Sequence, residues 1–194
     1  MTKEDLAARR GLDSPVYDPD EDSRLLAETA SERLESGDVA LDVGTGSGYV
    51  AATVAAETGA TVYGCDVNPH ACRRARDAGV PVVRTDLVSG FRDGAFDWVL
   101  FNPPYLPTPP EAEGDDWMEA ALSGGEDGRR VVDPFLDTVG RVLAPDGRVL
   151  LLVSSLTGLE AVAARAAANG LATERVAEES FPFERLVVLE LVVE

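Results

Sequence analysis

The chain has 194 residues, 45% of them apolar, which suits one globular domain around one substantial core and excludes a disordered polypeptide. There are 35 acidic residues against 17 basic ones, for a net charge of −18, and every basic residue but Lys3 is Arg. So acidic a surface opposes phosphate contacts and disfavours direct nucleic-acid binding, although the same composition reads as adaptation to molar salt, which weakens that exclusion.

The whole chain, 1–194, reads as a single domain whose first 15 residues form a flexible leading segment. Residues 1–13 are polar and carry no secretory-signal core. No apolar run approaches the roughly 20 residues needed to span a membrane. A cytoplasmic location with no membrane association is expected. Val39–Val43 predicts a strand, and the Ala- and Val-rich stretch from Tyr49 to Glu57 a helix. Thr61–Asp66 predicts a second strand. Asn68 caps a helix opened by Pro69 and running to about Asp77. Val82–Arg84 and Phe96–Phe101 predict two more strands, and Arg129–Leu143 a helix. After a Pro145-Asp146-Gly147 turn come a strand over Arg148–Val153 and a helix from Gly158 to Asn169. Thr173–Ser180 and Leu186–Val192 close the chain as a β-hairpin. Strands alternating with helices imply an α/β fold, a mostly parallel sheet with helices on both faces and an antiparallel C-terminal edge. Ligands of such sheets bind at the carboxyl ends of the strands.

The first strand runs into Asp42-Val43-Gly44-Thr45-Gly46-Ser47-Gly48. Gly44 and Gly46 let the backbone turn tightly and approach a ligand, and a helix N-terminus follows. Dinucleotide folds share that pattern. Asp42 separates the two, because a carboxylate there suits a cationic ligand better than a pyrophosphate. S-adenosyl-L-methionine carries an ammonium and a sulfonium. Asp66, about 20 residues on, is placed to accept from ribose hydroxyls. After the third strand, Asp86 can accept from an adenine amino group and Leu87 can pack on the ring. Each carboxylate alone is also what a solvated loop of an acidic chain would carry; three at successive strand ends beside a glycine loop point to a binding site.

The fourth strand runs into Asn102-Pro103-Pro104-Tyr105. Two prolines end the ladder and remove N–H donors, leaving the Asn102 side-chain oxygen and the Pro103 carbonyl as acceptors. Such a pair can take both hydrogens of a planar NH2 group and push electron density onto its nitrogen. Transfer also needs the lone pair aimed at the methyl group. Pro104 and Tyr105 can pack against the flat substrate. Asn102, Pro103 and Tyr105 are therefore the catalytic candidates. The two cysteines, Cys65 and Cys72, and the single His70 cannot complete a zinc site, so free thiols and no metal are expected. Arg73, Arg74 and Arg76 form a small basic cluster, read as surface ion pairs or a docking patch.

These motifs resemble the HemK-type protein glutamine N5-methyltransferases, in particular their short archaeal and eukaryotic form. Val16-Tyr17-Asp18-Pro19-Asp20-Glu21-Asp22-Ser23 is similar to the family's "VYEPAEDT" element, which leads a helix over the cofactor and puts Ser23 at its cofactor-contacting Thr position. Asp18 for Glu and Ser23 for Thr are mild departures. Leu41–Gly48, Asp66–Pro69, Thr85–Leu87, Asn102–Tyr105 and Ala121–Arg129 match further elements. The N-terminal helical domain of the bacterial release-factor enzymes has no counterpart before the VYDP element. The resemblance implies a Rossmann-like class I methyltransferase with a seven-stranded sheet. Its cofactor is S-adenosyl-L-methionine, contacted by Ser23, Asp42, Gly44, Gly46, Asp66, Asp86, Leu87 and Asn102. The implied activity is N5-methylation of the glutamine in the Gly-Gly-Gln loop of a class I peptide release factor. It further implies a heterodimer with a small zinc-binding methyltransferase activator, which would extend the sheet at the third-strand edge near Val80–Val83. An adenine N6-type nucleic-acid methyltransferase, a lysine methyltransferase and a non-catalytic scaffold are the alternatives. The absence of a basic groove stands against the first, the flat clamp against the second, and the intact Asn102 and glycine loop against the third.

Overall fold

A computed structural model describes residues 15–112 and 116–194. Of the leading segment expected to be flexible, only Pro15 is described, and its carbonyl accepts from Asn68 Nδ2 at 2.7 Å; the rest lies outside the described residues. In chain order the main elements are α1 (Glu21–Ser31), β1 (Val39–Val43), α2 (Tyr49–Thr58), β2 (Thr61–Asp66), α3 (Pro69–Asp77), β3 (Val82–Arg84), β4 (Phe96–Phe101), α4 (Trp117–Leu122), α5 (Val132–Thr138), β5 (Leu143–Ser154), α6 (Leu159–Ala168), β6 (Leu171–Ser180) and β7 (Arg185–Val193).

The strands form one seven-stranded sheet in the order β3-β2-β1-β4-β5-β7-β6. β1 to β5 pair in parallel, and β7 lies antiparallel between β5 and β6. Alternate residues of the central strands enter two cores. Leu41, Val43, Val99, Phe101, Leu151 and Val153 join Phe135, Leu136 and Val162 of α5 and α6 on one face. Ala40, Trp98, Leu100, Leu150 and Leu152 join Leu26, Ala30, Val50 and Ala75 of α1, α2 and α3 on the other. Burial on both faces is why these strands read as continuous apolar runs rather than as alternation.

Local chemistry sets the boundaries. α3 starts where the Asn68 side chain accepts from His70 N at 2.8 Å, with Pro69 in its first turn. α2 ends at Gly59, which is left-handed and returns its N–H to Ala55 O. Two expected boundaries move. The predicted helix from Arg129 to Leu143 is α5 followed by a 3-10 turn over Val139–Val142. β5 begins at Leu143 and carries the Pro-Asp-Gly turn within it as a register shift opposite Phe96 and Trp98. Asp146 there has φ 64°, the conformation that lets the strand bulge and resume. The order of strands reverses between β1 and β4, and their carboxyl ends frame the cleft where a doubly wound sheet binds its ligand.

Candidate active site

Gly44, Gly46 and Gly48 after β1 have φ of 62°, 55° and 81°. Gly48 also packs α2 onto α3: a Cβ there would lie 3.0 Å from Ala75 Cα. The loop is tied to β2 by Thr45 N donating to Cys65 O at 2.9 Å. Beneath it, the Phe101 and Phe135 rings stack at 4.5 Å between centroids.

Three carboxylates sit at the ends of β1, β2 and β3, as the spacing predicts. Asp42 is buried and accepts from Thr45 Oγ1 at 2.6 Å. Loss of water raises its pKa to about 7, partly countered by the Thr45 hydroxyl. Asp66 accepts from Gly46 N at 3.0 Å and from Asn68 N at 2.8 Å, so it organises the glycine loop as well as facing the cleft. Burial raises its pKa too, against those backbone donors. Each of its oxygens keeps acceptor capacity for a ligand. Asp86 is exposed, and its carbonyl closes a turn by accepting from Ser89 N at 3.1 Å. Leu87 beside it has φ 46°, which turns the backbone at the cleft wall.

Asn102 leaves β4 with its side-chain Oδ1 buried and, among the described residues, without a hydrogen-bond partner. An orphaned buried acceptor costs about 1–3 kcal/mol, and one that lies in a cavity wall is placed for a ligand to supply the donor. Pro103 is buried and Tyr105 half-buried. The backbone after Tyr105 pairs with the Ala121–Arg129 segment: Leu106 N donates to Leu122 O at 3.1 Å, Gly124 N to Leu106 O at 2.9 Å and Thr108 N to Gly125 O at 2.8 Å. Gly128 has φ 75°, and a Cβ on it would stand 2.6 Å from Tyr105 O. The GGEDGR stretch is therefore the brace of the Asn-Pro-Pro-Tyr loop.

The structure adds groups that spacing does not reveal. Asp22 is buried at 5% exposure and accepts from the Tyr105 hydroxyl at 3.4 Å and from Ser23 Oγ at 3.2 Å. Burial, with Asp22 next in order, pushes both the Tyr105 and the Tyr17 phenol well above the usual range. Glu184, from the turn joining β6 and β7, accepts from Ser154 Oγ at 2.8 Å. Asp22 lies inside the VYDP element, and only its fold-dependent meeting with Tyr105, 83 residues away, marks it.

All eleven sequence-derived candidates, Ser23, Asp42, Gly44, Gly46, Asp66, Asp86, Leu87, Asn102, Pro103, Pro104 and Tyr105, line one cavity of about 550 Å³, together with Asp22, Trp117 and Glu184. That size lies within the range of small-molecule sites. Residues 16–112 match the family model "Methyltransferase small domain". A protein of Methanocaldococcus jannaschii named as a protein N5-glutamine methyltransferase is 34% identical, over 92% of either chain. Methyltransferase HEMK2 of Mus musculus is 40% identical over 74% of this chain and 73% of its own. The chain belongs to the HemK-type protein glutamine methyltransferases.

Among solved structures, the E. cuniculi Mtq2–Trm112 complex, responsible for methylation of the eRF1 translation termination factor, has a chain matching this HemK-type enzyme. The TM-score is 0.77 at 28% identity, over 93% of this chain and 100% of the matched one. Enzymes of this fold and family use S-adenosyl-L-methionine, and the residues present fit it. Asp42 is a buried carboxyl that a cation would satisfy, Asp66 is a half-buried carboxyl with acceptor capacity for ribose hydroxyls, and Asn102 Oδ1 can take a donor from a ligand.

Cys65 and Cys72 are free and buried. Among the described residues, no group of three or more His, Cys, Asp or Glu could hold a metal, and no helix is long and apolar enough to cross a membrane. Arg74 pairs with Asp18 at 2.5 Å and ties the VYDP element to α3, while Arg73 meets the His70 ring. At the sheet edge, Val80 is buried in the core rather than available, and β3 starts at Val82.

Proposed function

We propose that this enzyme methylates the side-chain amide nitrogen of a protein glutamine, and that the glutamine is the one in the Gly-Gly-Gln loop of a class I peptide release factor. The observation that carries the chemistry is the buried, unpartnered Asn102 Oδ1, placed beside a Pro-Pro segment that offers carbonyls and no N–H. The relatives' names and the eRF1 methylation described for the Mtq2–Trm112 complex support the choice of substrate.

The roles divide by element. Asp42, Asp66, Asp86 and Leu87, with Gly44, Gly46 and Ser23, hold the cofactor. S-adenosyl-L-methionine supplies, when bound, an electrophilic methyl group on a sulfonium. Asn102 Oδ1 and the Pro103 carbonyl accept the two amide hydrogens. The amide nitrogen is a poor nucleophile because its lone pair is delocalised, and two acceptors on its N–H groups return density to it. Pro104 and the Tyr105 ring flank the flat group. Asp22 fixes Tyr105 through its hydroxyl and so couples α1, over the cofactor end, to the catalytic loop. With the amide held at both hydrogens, the chain exchanges rotational freedom for orientation, a large part of what positioning contributes to such transfers.

The same reading includes a small zinc-binding activator as partner. Among the described residues β3 is a three-residue edge strand paired only with β2; Val83 within it is 42% exposed, and Tyr63 and Val67 in and after β2 are 38% and 52% exposed. An apolar edge of this kind suits a partner that adds a strand or covers it. The Trm112 of the E. cuniculi complex is a precedent for such a partner.

The test is transfer of a labelled methyl group in molar salt, as the acidic composition recommends, to release factor, tRNA and DNA, each with and without the activator. Label is expected in the release factor, and Asn102→Ala should abolish it while cofactor affinity stays within about twofold. Label appearing in nucleic acid alone would overturn the reading.

A further inference from the structure

The chain from Phe181 to Glu184 makes a tight turn, with Phe181 N donating to Glu184 O at 2.8 Å. Its apex, Phe183, is 95% exposed, the most exposed large apolar side chain among the described residues. An aromatic ring in water at the tip of a hairpin contributes nothing to the folded chain's own core. Its neighbours Phe181 and Glu184 both line the catalytic cavity, so the tip stands at the cavity mouth. The turn is anchored there by Arg185 N donating to Ser155 Oγ at 3.0 Å and by Ser154 Oγ donating to Glu184 at 2.8 Å. Ser155 precedes Leu156, 45% exposed. Thr157 next in the chain lies against Gly128, whose other contact is the Tyr105 carbonyl, and Tyr105 leads into Leu106, 36% exposed and itself on the cavity wall. Phe183, Leu156 and Leu106 are thus an arc of exposed apolar side chains on three segments tied to one another by these contacts, of which Leu106 itself lines the cavity.

We infer that this arc is the docking rim for the polypeptide that carries the target glutamine, with Phe183 as its anchor. The inference rests on the reading of the substrate as a folded protein loop. A loop that delivers one side chain into a cavity must lay its flanking residues on the rim. In a chain of net charge −18 the rim is apolar at these three positions, so the contact does not depend on opposite charge in the partner. An exposed aromatic that becomes desolvated on binding is the kind of residue on which interface energy concentrates.

The experiment compares the enzyme, with its activator, and its Phe183→Ser and Leu156→Ser variants on two substrates: the intact release factor and a short peptide centred on Gly-Gly-Gln. Both side chains are exposed, so unchanged melting temperature and cofactor affinity are expected. Phe183→Ser should raise KM for the release factor about tenfold with kcat nearly unchanged, and Leu156→Ser should raise it less. Transfer to the short peptide, chosen to lack the flanking residues that would rest on the rim, should be the same in all three proteins. Unchanged KM for the intact factor in Phe183→Ser, or an equal loss on both substrates, would overturn the rim while leaving the glutamine reading standing. Failure of the unsubstituted enzyme to label the release factor would sink both.

Discussion

At the scale of single residues, the site is built from groups that are expensive to bury without a partner. Asn102 Oδ1 lacks a donor, and Asp42 is a carboxyl in a dry setting whose pKa lies near 7 rather than 3.8. Between about pH 4 and 7 the unfolded chain ionises Asp42 and the folded chain keeps it protonated. Burial of this group therefore costs no stability below that window, an increasing amount through it, and its full amount above pH 7. A cationic ligand reverses the balance by favouring the ionised form. Cofactor binding at pH 6 should accordingly release protons, and affinity should rise as pH rises from 5.5 to 7.5. Calorimetry in two buffers of different ionisation enthalpy measures both. Asp42→Asn should weaken binding and flatten the dependence, whereas equal slopes in both proteins would remove Asp42 from the cofactor site. Asp42, Asp66 and Asn102 were legible as site residues because each ends a strand. Asp22 and Glu184 were not, since their place depends on α1 and the β6–β7 turn both reaching the cavity that Tyr105 lines.

At the scale of elements, the two catalytic stretches are held by chain that does no chemistry itself. The loop after β4 would be free to swing about its prolines without the backbone ladder to residues 122–125 and the contact between Gly128 and Tyr105 O. Gly128→Ala combines a strained φ with a Cβ 2.6 Å from that carbonyl. It should cost on the order of 1–3 kcal/mol of stability and displace Tyr105. Thermal unfolding checks the first, and a fall in kcat of about tenfold or more at unchanged cofactor affinity checks the second. Turnover equal to that of the parent would show that the brace is dispensable. The central strands were readable as buried β-structure because both faces are covered. α4 has only six residues, too few to display a helical period, and went unseen. The expected helix to Leu143 was overlong because Val139 and Val142 keep the apolar spacing after the backbone has tightened into a 3-10 turn.

At the scale of the whole molecule, the β6–β7 turn and β3 lie at opposite ends of the strand order and are assigned to different partners, although Val67 after β2 lines the cavity as well. Tyr63, Val67 and Val83 are exposed where β3 ends the sheet. Val83→Asp should prevent a stable complex with the activator in gel filtration, while leaving the isolated chain's unfolding midpoint within about 2 °C, because the side chain is already 42% exposed. Co-elution of the variant with the activator would place that partner elsewhere. The mostly parallel sheet, the carboxyl-end cleft and the antiparallel hairpin followed from the alternation of elements; the order of the strands did not. The partner edge was harder to read, since Val80 to Val83 look alike in sequence and only β3 pairing distinguishes the buried Val80 from the exposed Val83. The claim that joins these scales is methyl transfer to one amide nitrogen. Its most direct test is to treat release factor with enzyme, activator and S-adenosyl-L-methionine, digest it and locate the added methyl group by mass spectrometry. The account predicts a single methyl group on the glutamine of the Gly-Gly-Gln peptide, absent when Asn102→Ala replaces the parent enzyme. A methyl group on a lysine or any other residue, or an unmodified glutamine after full cofactor turnover, would contradict it.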